Sequence, residues 1–246
     1  MWDYLEPVAK MLEPLTLVHR FDQRGCGGSD PSRQHTVARY VADIEALRQH
    51  WRHETWIVLG HSFGATLAFA YAAAHPDRST AMCYLSGVGV GDWHSLYRAE
   101  RERRMTRDQR RRMVDLKAKA ARSDFEEREF RALSWFTDYA DPAHAWDLAL
   151  ANVDLDREIN VEANSLLNAE ITWSTTKVLE QARKLTMPCW FIHGVGDPRP
   201  SSTVADLVAA IPGTKLHLIE GAGHDPWRER PDALRELLAE LVSIGG

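Results

Sequence analysis

Ser62 lies in "LGHSFGAT" (59–66), flanked by Gly60 and Gly64 in the pattern G-x-S-x-G. A serine hydroxyl attacks a carbonyl carbon when a base takes its proton and nearby N–H groups receive the oxyanion. The run ahead of it, "TWIVLG" (55–60), reads as a buried strand. The run behind it, "FGATLAFAYAAAH" (63–75), reads as an alanine-rich helix ended by Pro76. A serine on a sharp turn between strand and helix is the setting of a nucleophile elbow. Small neighbours such as Gly60 and Gly64 permit the tight turn. The helix N-terminus adds partial positive charge, and the Phe63 N–H is expected to be one oxyanion-hole donor. A glycine-rich turn with a helix-capping serine fits the same letters. The strand before and the helix after favour the nucleophile.

A nucleophilic serine needs a base, and the base needs a carboxylate to orient it. The run "PCWFIHG" (188–194) reads as a strand and is followed by "VGDPRP", which offers Asp197. The run "KLHLIE" (215–220) is followed by "GAGHDPW", which offers His224. Both fall at strand carboxyl ends, where the loops of a parallel sheet converge. Asp197 also suits a turn before Pro198, and His224 is one of 11 histidines. His217 is a poorer base because it lies within its strand. Asp92, after the run "AMCYLSG" (81–87), is the fallback acid.

These residues are positioned by short apolar runs alternating with helical patterns. "LTLVHRFD" (15–22), "TWIVLG", "AMCYLSG", "PCWFIHG" and "KLHLIE" read as strands. "TVARYVADIEALRQHW" (36–51), a stretch near 201–211 and "DALRELLAELVSI" (232–244) read as helices. That alternation predicts an α/β fold, a mostly parallel sheet with helices on both faces. From about 92 to 186 the strand patterns stop. Residues 98–131 carry 13 Lys or Arg and 8 Asp or Glu, with Met113, Leu116 and Ala120 on a narrow apolar stripe. Mixed signs favour a solvated helical insertion over a nucleic-acid surface. The expected division is a core of 1–91 and 187–246 with a helical lid, 92–186, over the sheet's carboxyl edge.

Composition narrows the classes further. The chain has 246 residues, 44% hydrophobic and 26% charged, with a net charge of −5, which suits one globular domain with an insertion. Nothing points to nucleic acid or to a membrane, and the first residues lack a signal-peptide pattern. Three cysteines without paired spacing point to a reduced, cytoplasmic protein. No Cys or His pair has metal-ligand spacing. "RGCGGSD" (24–30) lacks the G-x-G-x-x-G and G-K-[ST] of nucleotide cradles. The carboxylates of 156–170 read as a solvated face that could instead turn towards the site.

Taken in order, "FDQRGCGGSD", "DIEALRQHW", "GHSFGAT", "GVGDPRP" and "GAGHDPW" resemble the α/β-hydrolase family, most of all its proline iminopeptidase-like branch, from Phe21 to Trp227. The resemblance implies Ser62 as nucleophile, Asp197 as acid and His224 as base. It also implies lid carboxylates that hold a substrate's free amine, with Glu162 in "INVEANSLLN" roughly at such a place. "HAWDLAL" (144–150) departs from the branch, with Asp147 where a glutamate is usual. A second departure is at the front. "MWDYLEPVAKML" already reads as the family's first helix, and no H-G-x-P-G loop occurs. The expectation is a misplaced start codon or a shortened homologue. Such a chain would lack a central strand and the second oxyanion donor, and would be a poorer catalyst than a form extended upstream.

The function expected is a serine hydrolase that cleaves an ester or amide, including an N-terminal aminoacyl or prolyl bond, through an acyl-enzyme on Ser62. It would need no cofactor and would act on a small molecule or short peptide. The alternatives are a hydrolase-like binding protein with little turnover and a cofactor-free perhydrolase.

Overall fold

The computed structural model describes residues 2–153, 160–169 and 174–245. A 3-10 turn, Trp2–Leu5, leads into α1 (Glu6–Leu12). Then come α2 (Val37–His50), β1 (Trp56–His61), α3 (Phe63–Ala74) and β2 (Ser79–Leu85). Helices α4 (Trp93–Arg104), α5 (Arg107–Ala118), α6 (Asp124–Trp135), α7 (Ala145–Val153), α8 (Val161–Ala169) and α9 (Thr175–Ala182) follow. The chain closes with β3 (Cys189–Gly194), α10 (Ser201–Val208), β4 (Lys215–Ile219), α11 (Pro226–Glu229) and α12 (Pro231–Gly245).

The four strands form one parallel sheet in the order β1-β2-β3-β4. Parallel strands need crossovers, and the apolar helices supply them while covering both faces. One face packs against α2, α3, α9 and α10 through residues such as Ile44, Phe69, Val178 and Leu207. The other packs against α1 and α12 through Val8, Leu12, Leu234 and Leu238. The α/β class expected from the alternation is the architecture observed.

The expected strand at 15–22 is not one. Residues 17–23 have no regular structure, and β1 is the edge of the sheet. A strand exists through its ladder, and here none lies beside β1 for the segment to join. Side chains tether it instead. His19 stacks on Trp51 with ring centroids 4.1 Å apart, and its Nε2 lies 2.8 Å from His53 Nε2. Leu17 is left 72% exposed.

Of the helices between β2 and β3, α5, α6 and α7 share an apolar cluster of their own, built from Leu116, Leu133, Phe136 and Ala149, whereas α9 belongs to the sheet's core. Helices α5 and α6 open with capping boxes, Thr106 with Gln109 and Ser123 with Glu126. Charges in 98–131 form local pairs, such as Arg112 with Glu129 and Arg122 with Glu127. Leu116 is buried, whereas Ala120 lies beyond the end of α5 and is exposed.

Candidate active site

Ser62 sits where β1 turns into α3, with φ 56° and ψ −120°. A non-glycine residue is strained there by on the order of 1–3 kcal/mol. The surroundings enforce the turn. A Cβ on Gly60 would fall 1.9 Å from the Gly64 carbonyl oxygen, so β1 and α3 approach this closely only because residue 60 is glycine. Gly64 itself faces open space. The tight approach is therefore the work of Gly60. Phe63 is the first residue of α3, so its N–H has no partner within the helix.

The sheet register places the other two candidates at the same edge. His61 pairs with Leu85, Leu85 with Ile192, and Gly194 with Ile219. The loops after β3 and β4 cross there. A Cβ on Gly194 would lie 2.1 Å from the Gly223 carbonyl oxygen. In the buried crossing, Asp197 Oδ2 lies 2.7 Å from His224 Nδ1. Burial alone would raise the Asp197 carboxyl, but His224, His193 and Arg199 outweigh it and hold it well below the usual range. An ionised carboxylate only accepts, so His224 Nδ1 carries the proton and Nε2 is left as the ring's acceptor. Ser62 and His224 line one cavity of about 340 Å³, walled on its far side by Tyr97, Arg101, Trp135 and Asn152 from the inserted helices.

The remaining candidates lie elsewhere. Asp92 is exposed and caps α4, its Oδ1 accepting from Ser95 N–H at 3.3 Å. His217 stacks on Trp190 at 4.5 Å within the sheet. Glu162 is exposed in the first turn of α8, a place where a carboxylate suits the helix dipole. It is not among the residues lining the cavity. Asp147 is exposed on α7. Of the carboxylate run 156–170, residues 156–159 and 170 lie outside the described residues.

Residues without a role in the sequence reading complete the site. His61 Nε2 lies 2.9 Å from the His224 carbonyl oxygen. Burial chiefly pushes the His61 imidazole well below its ordinary value, so it is neutral. A carbonyl only accepts, so Nε2 is the protonated nitrogen. Nδ1 therefore receives the Tyr4 hydroxyl at 2.7 Å. Tyr4 and Tyr139 also approach the two oxygens of buried Asp225, each at 3.2 Å. Arg199 is half-buried and ties Asp197 Oδ1 at 3.3 Å to Asp138 Oδ1 at 3.1 Å. His61, Asp225 and Arg199 stand inside the quoted motifs "GHSFG", "GHDPW" and "GDPRP", but nothing in a linear pattern pairs them with Tyr4 or Asp138.

The family model for the alpha/beta hydrolase fold matches residues 6–231. The chain belongs to the α/β-hydrolase fold family. A probable proline iminopeptidase of Leptolyngbya boryana is 49% identical over 61 residues, which are 24% of this chain and 19% of that protein. The chain thus spans about a fifth of the length of that curated relative. A proline iminopeptidase of Xylella fastidiosa is 27% identical over 240 residues, covering 87% of this chain and 77% of the relative. The solved meta-cleavage product hydrolase of Pseudomonas fluorescens shares the fold with a TM-score of 0.75 at 19% identity, covering 100% of this chain and 86% of that one. In this hydrolase fold the loops after β1, β3 and β4 bring Ser62, Asp197 and His224 to one sheet edge. Among the described residues no helix is long and apolar enough to cross a membrane.

Proposed function

We propose that the chain is a serine hydrolase that cleaves an ester or amide through an acyl-enzyme on Ser62. His224 Nε2 takes the Ser62 proton and later returns it to the leaving group. Asp197 holds the imidazole in the required tautomer and stabilises the imidazolium. The Phe63 N–H donates to the oxyanion. The inserted helices form a lid that keeps water from the acyl-enzyme until the leaving group has gone.

The observation that carries this reading is the buried 2.7 Å Asp197–His224 pair, opening on the cavity that Ser62 also lines. Ser62 is held at φ 56°, a strain that a mere helix cap would not require. A fluorophosphonate probe tests it. Stoichiometric labelling is expected, lost in Ser62→Ala and strongly slowed in His224→Ala. Wild-type protein that does not label would establish the binding-protein reading instead.

Cleavage of an N-terminal aminoacyl or prolyl bond is the second reading, favoured by the 27% identity to the Xylella fastidiosa protein over 240 residues. It requires a carboxylate for the substrate amine. Glu162 is off the cavity, and the lining carboxylates Asp138 and Asp225 already face Arg199 and Arg228. Comparing prolyl 4-nitroanilide with neutral 4-nitrophenyl esters separates the two. Faster turnover of the anilide would make the aminopeptidase reading the correct one.

A further inference from the structure

We propose that Arg101 is the anion-binding end of this cavity, and that the substrate is a carbonyl compound bearing a carboxylate. Arg101 lies on α4 and lines the cavity with Ser62 and His224. Among the described residues its guanidinium is held by neutral groups only. Nε donates to Thr137 Oγ1 and Nη2 to the Ser134 carbonyl oxygen, both at 3.3 Å, and the Tyr97 ring centroid is 5.5 Å away. A guanidinium has five N–H donors in a planar fork, so these two long bonds leave most of the fork for a ligand.

The neighbouring charges make this arginine exceptional. Arg103 and Arg104 both pair with Glu100. Across the cavity, Arg199 pairs with Asp138 and Asp197, and Arg228 with Asp225. Each carboxylate at the site therefore already faces a cation, while Arg101 faces none among the described residues. A half-buried guanidinium beside a reactive serine, with donors in reserve and no counter-ion, suits a planar carboxylate that it grips through two parallel N–H bonds. The Tyr97 hydroxyl lines the same wall and can supply a further hydrogen bond. Only the hydrolytic half of this inference rests on Ser62 as nucleophile; the binding half stands on Arg101 alone.

The test pairs 4-nitrophenyl hydrogen adipate with 4-nitrophenyl hexanoate, which share chain length and leaving group and differ in a terminal carboxylate. Each rate is corrected for the Ser62→Ala background. Wild type should favour the charged ester in kcat/KM by about tenfold or more, the scale of a charge-assisted hydrogen-bonded pair. Arg101→Gln should abolish that preference, and Arg101→Lys, which keeps the charge but not the fork, should retain part of it. In parallel, free adipate should raise the melting temperature of wild type more than uncharged adipamide does at matched ionic strength, and this difference should vanish in Arg101→Gln. If neither ester is turned over above the Ser62→Ala background, the hydrolase reading fails and the melting comparison decides the anion site by itself. If Arg101→Gln does not fold, wild type and Arg101→Lys decide it. An equal ester ratio in wild type and the folded variants, or adipate no better than adipamide on wild type, overturns the proposal.

Discussion

At the scale of single residues, two buried aspartates next to the candidate base have opposite electrostatics. The Asp197 carboxyl is held down by His224, His193 and Arg199 against the effect of burial. The Asp225 carboxyl is raised, chiefly by burial. Of the two, Asp197 is the one that bonds the His224 ring. Asp197→Asn should therefore lower kcat by roughly 10³–10⁴, because an amide leaves the imidazole in the wrong tautomer. Asp225→Asn keeps the shape and leaves the Asp197–His224 bond in place, so its effect should be far smaller. Steady-state rates on a neutral ester decide the matter, and equal losses would transfer the orienting role to Asp225. The two motif glycines also differ. Gly60→Ala places a methyl group against the Gly64 carbonyl and should destabilise by about 3 kcal/mol or more. Gly64→Ala meets open space on a helix and should stabilise by roughly 0.5–1 kcal/mol. Urea melts of both variants test this pair, which would be refuted if the two alanines destabilised alike.

Among the elements, α2 is tied to α3 and to the segment ahead of β1 through Glu45 and its partner Arg48. Glu45 pairs with Arg48 at 2.6 Å and receives the Tyr71 hydroxyl of α3 at 2.9 Å. Arg48 in turn donates to the His53 and Glu54 carbonyls ahead of β1. The hydrogen bond from Arg48 is the main force that brings Glu45 from 4.5 down to about 2. Folded Glu45 thus binds its proton less tightly than unfolded Glu45. The stabilisation is complete above about pH 4.5 and is lost as the pH falls towards about 2. Melting temperature should fall across that window, and Glu45→Gln should flatten the fall while lowering stability at neutral pH. An unchanged slope in the variant would show that other carboxylates carry the acid sensitivity.

For the whole molecule, helices α5, α6 and α7 of the insertion have their own apolar cluster, separate from the two that sandwich the sheet. A segment with its own core can open without melting the rest. Leu116 is fully buried in that cluster. Leu116→Ala should cost about 2–5 kcal/mol locally. Heating should then abolish ester hydrolysis at a lower temperature than it melts the sheet, giving two separated transitions by activity and by far-ultraviolet circular dichroism. Coincident transitions would mean that the insertion and the sheet unfold as one unit.

The linear sequence carries the local features because they follow from short-range chemistry. Apolar runs such as "TWIVLG" and "PCWFIHG" mark buried parallel strands, and "FGATLAFAYAAA" declares a helix. Ser62, Asp197 and His224 could be selected because each follows a strand, and a parallel sheet gathers such positions at one edge. What required the tertiary structure is pairing over distance. The run "LTLVHRFD" has a strand's composition but no ladder to join, since composition cannot supply a neighbour. Glu162 has a suitable type and rough position, but the orientation of α8 leaves it in solvent. Tyr4 on His61, Arg199 on Asp138 and Arg101 on Thr137 join segments far apart in the chain. Burial and charge balance at such places depend on which loops cross, and no local pattern encodes that.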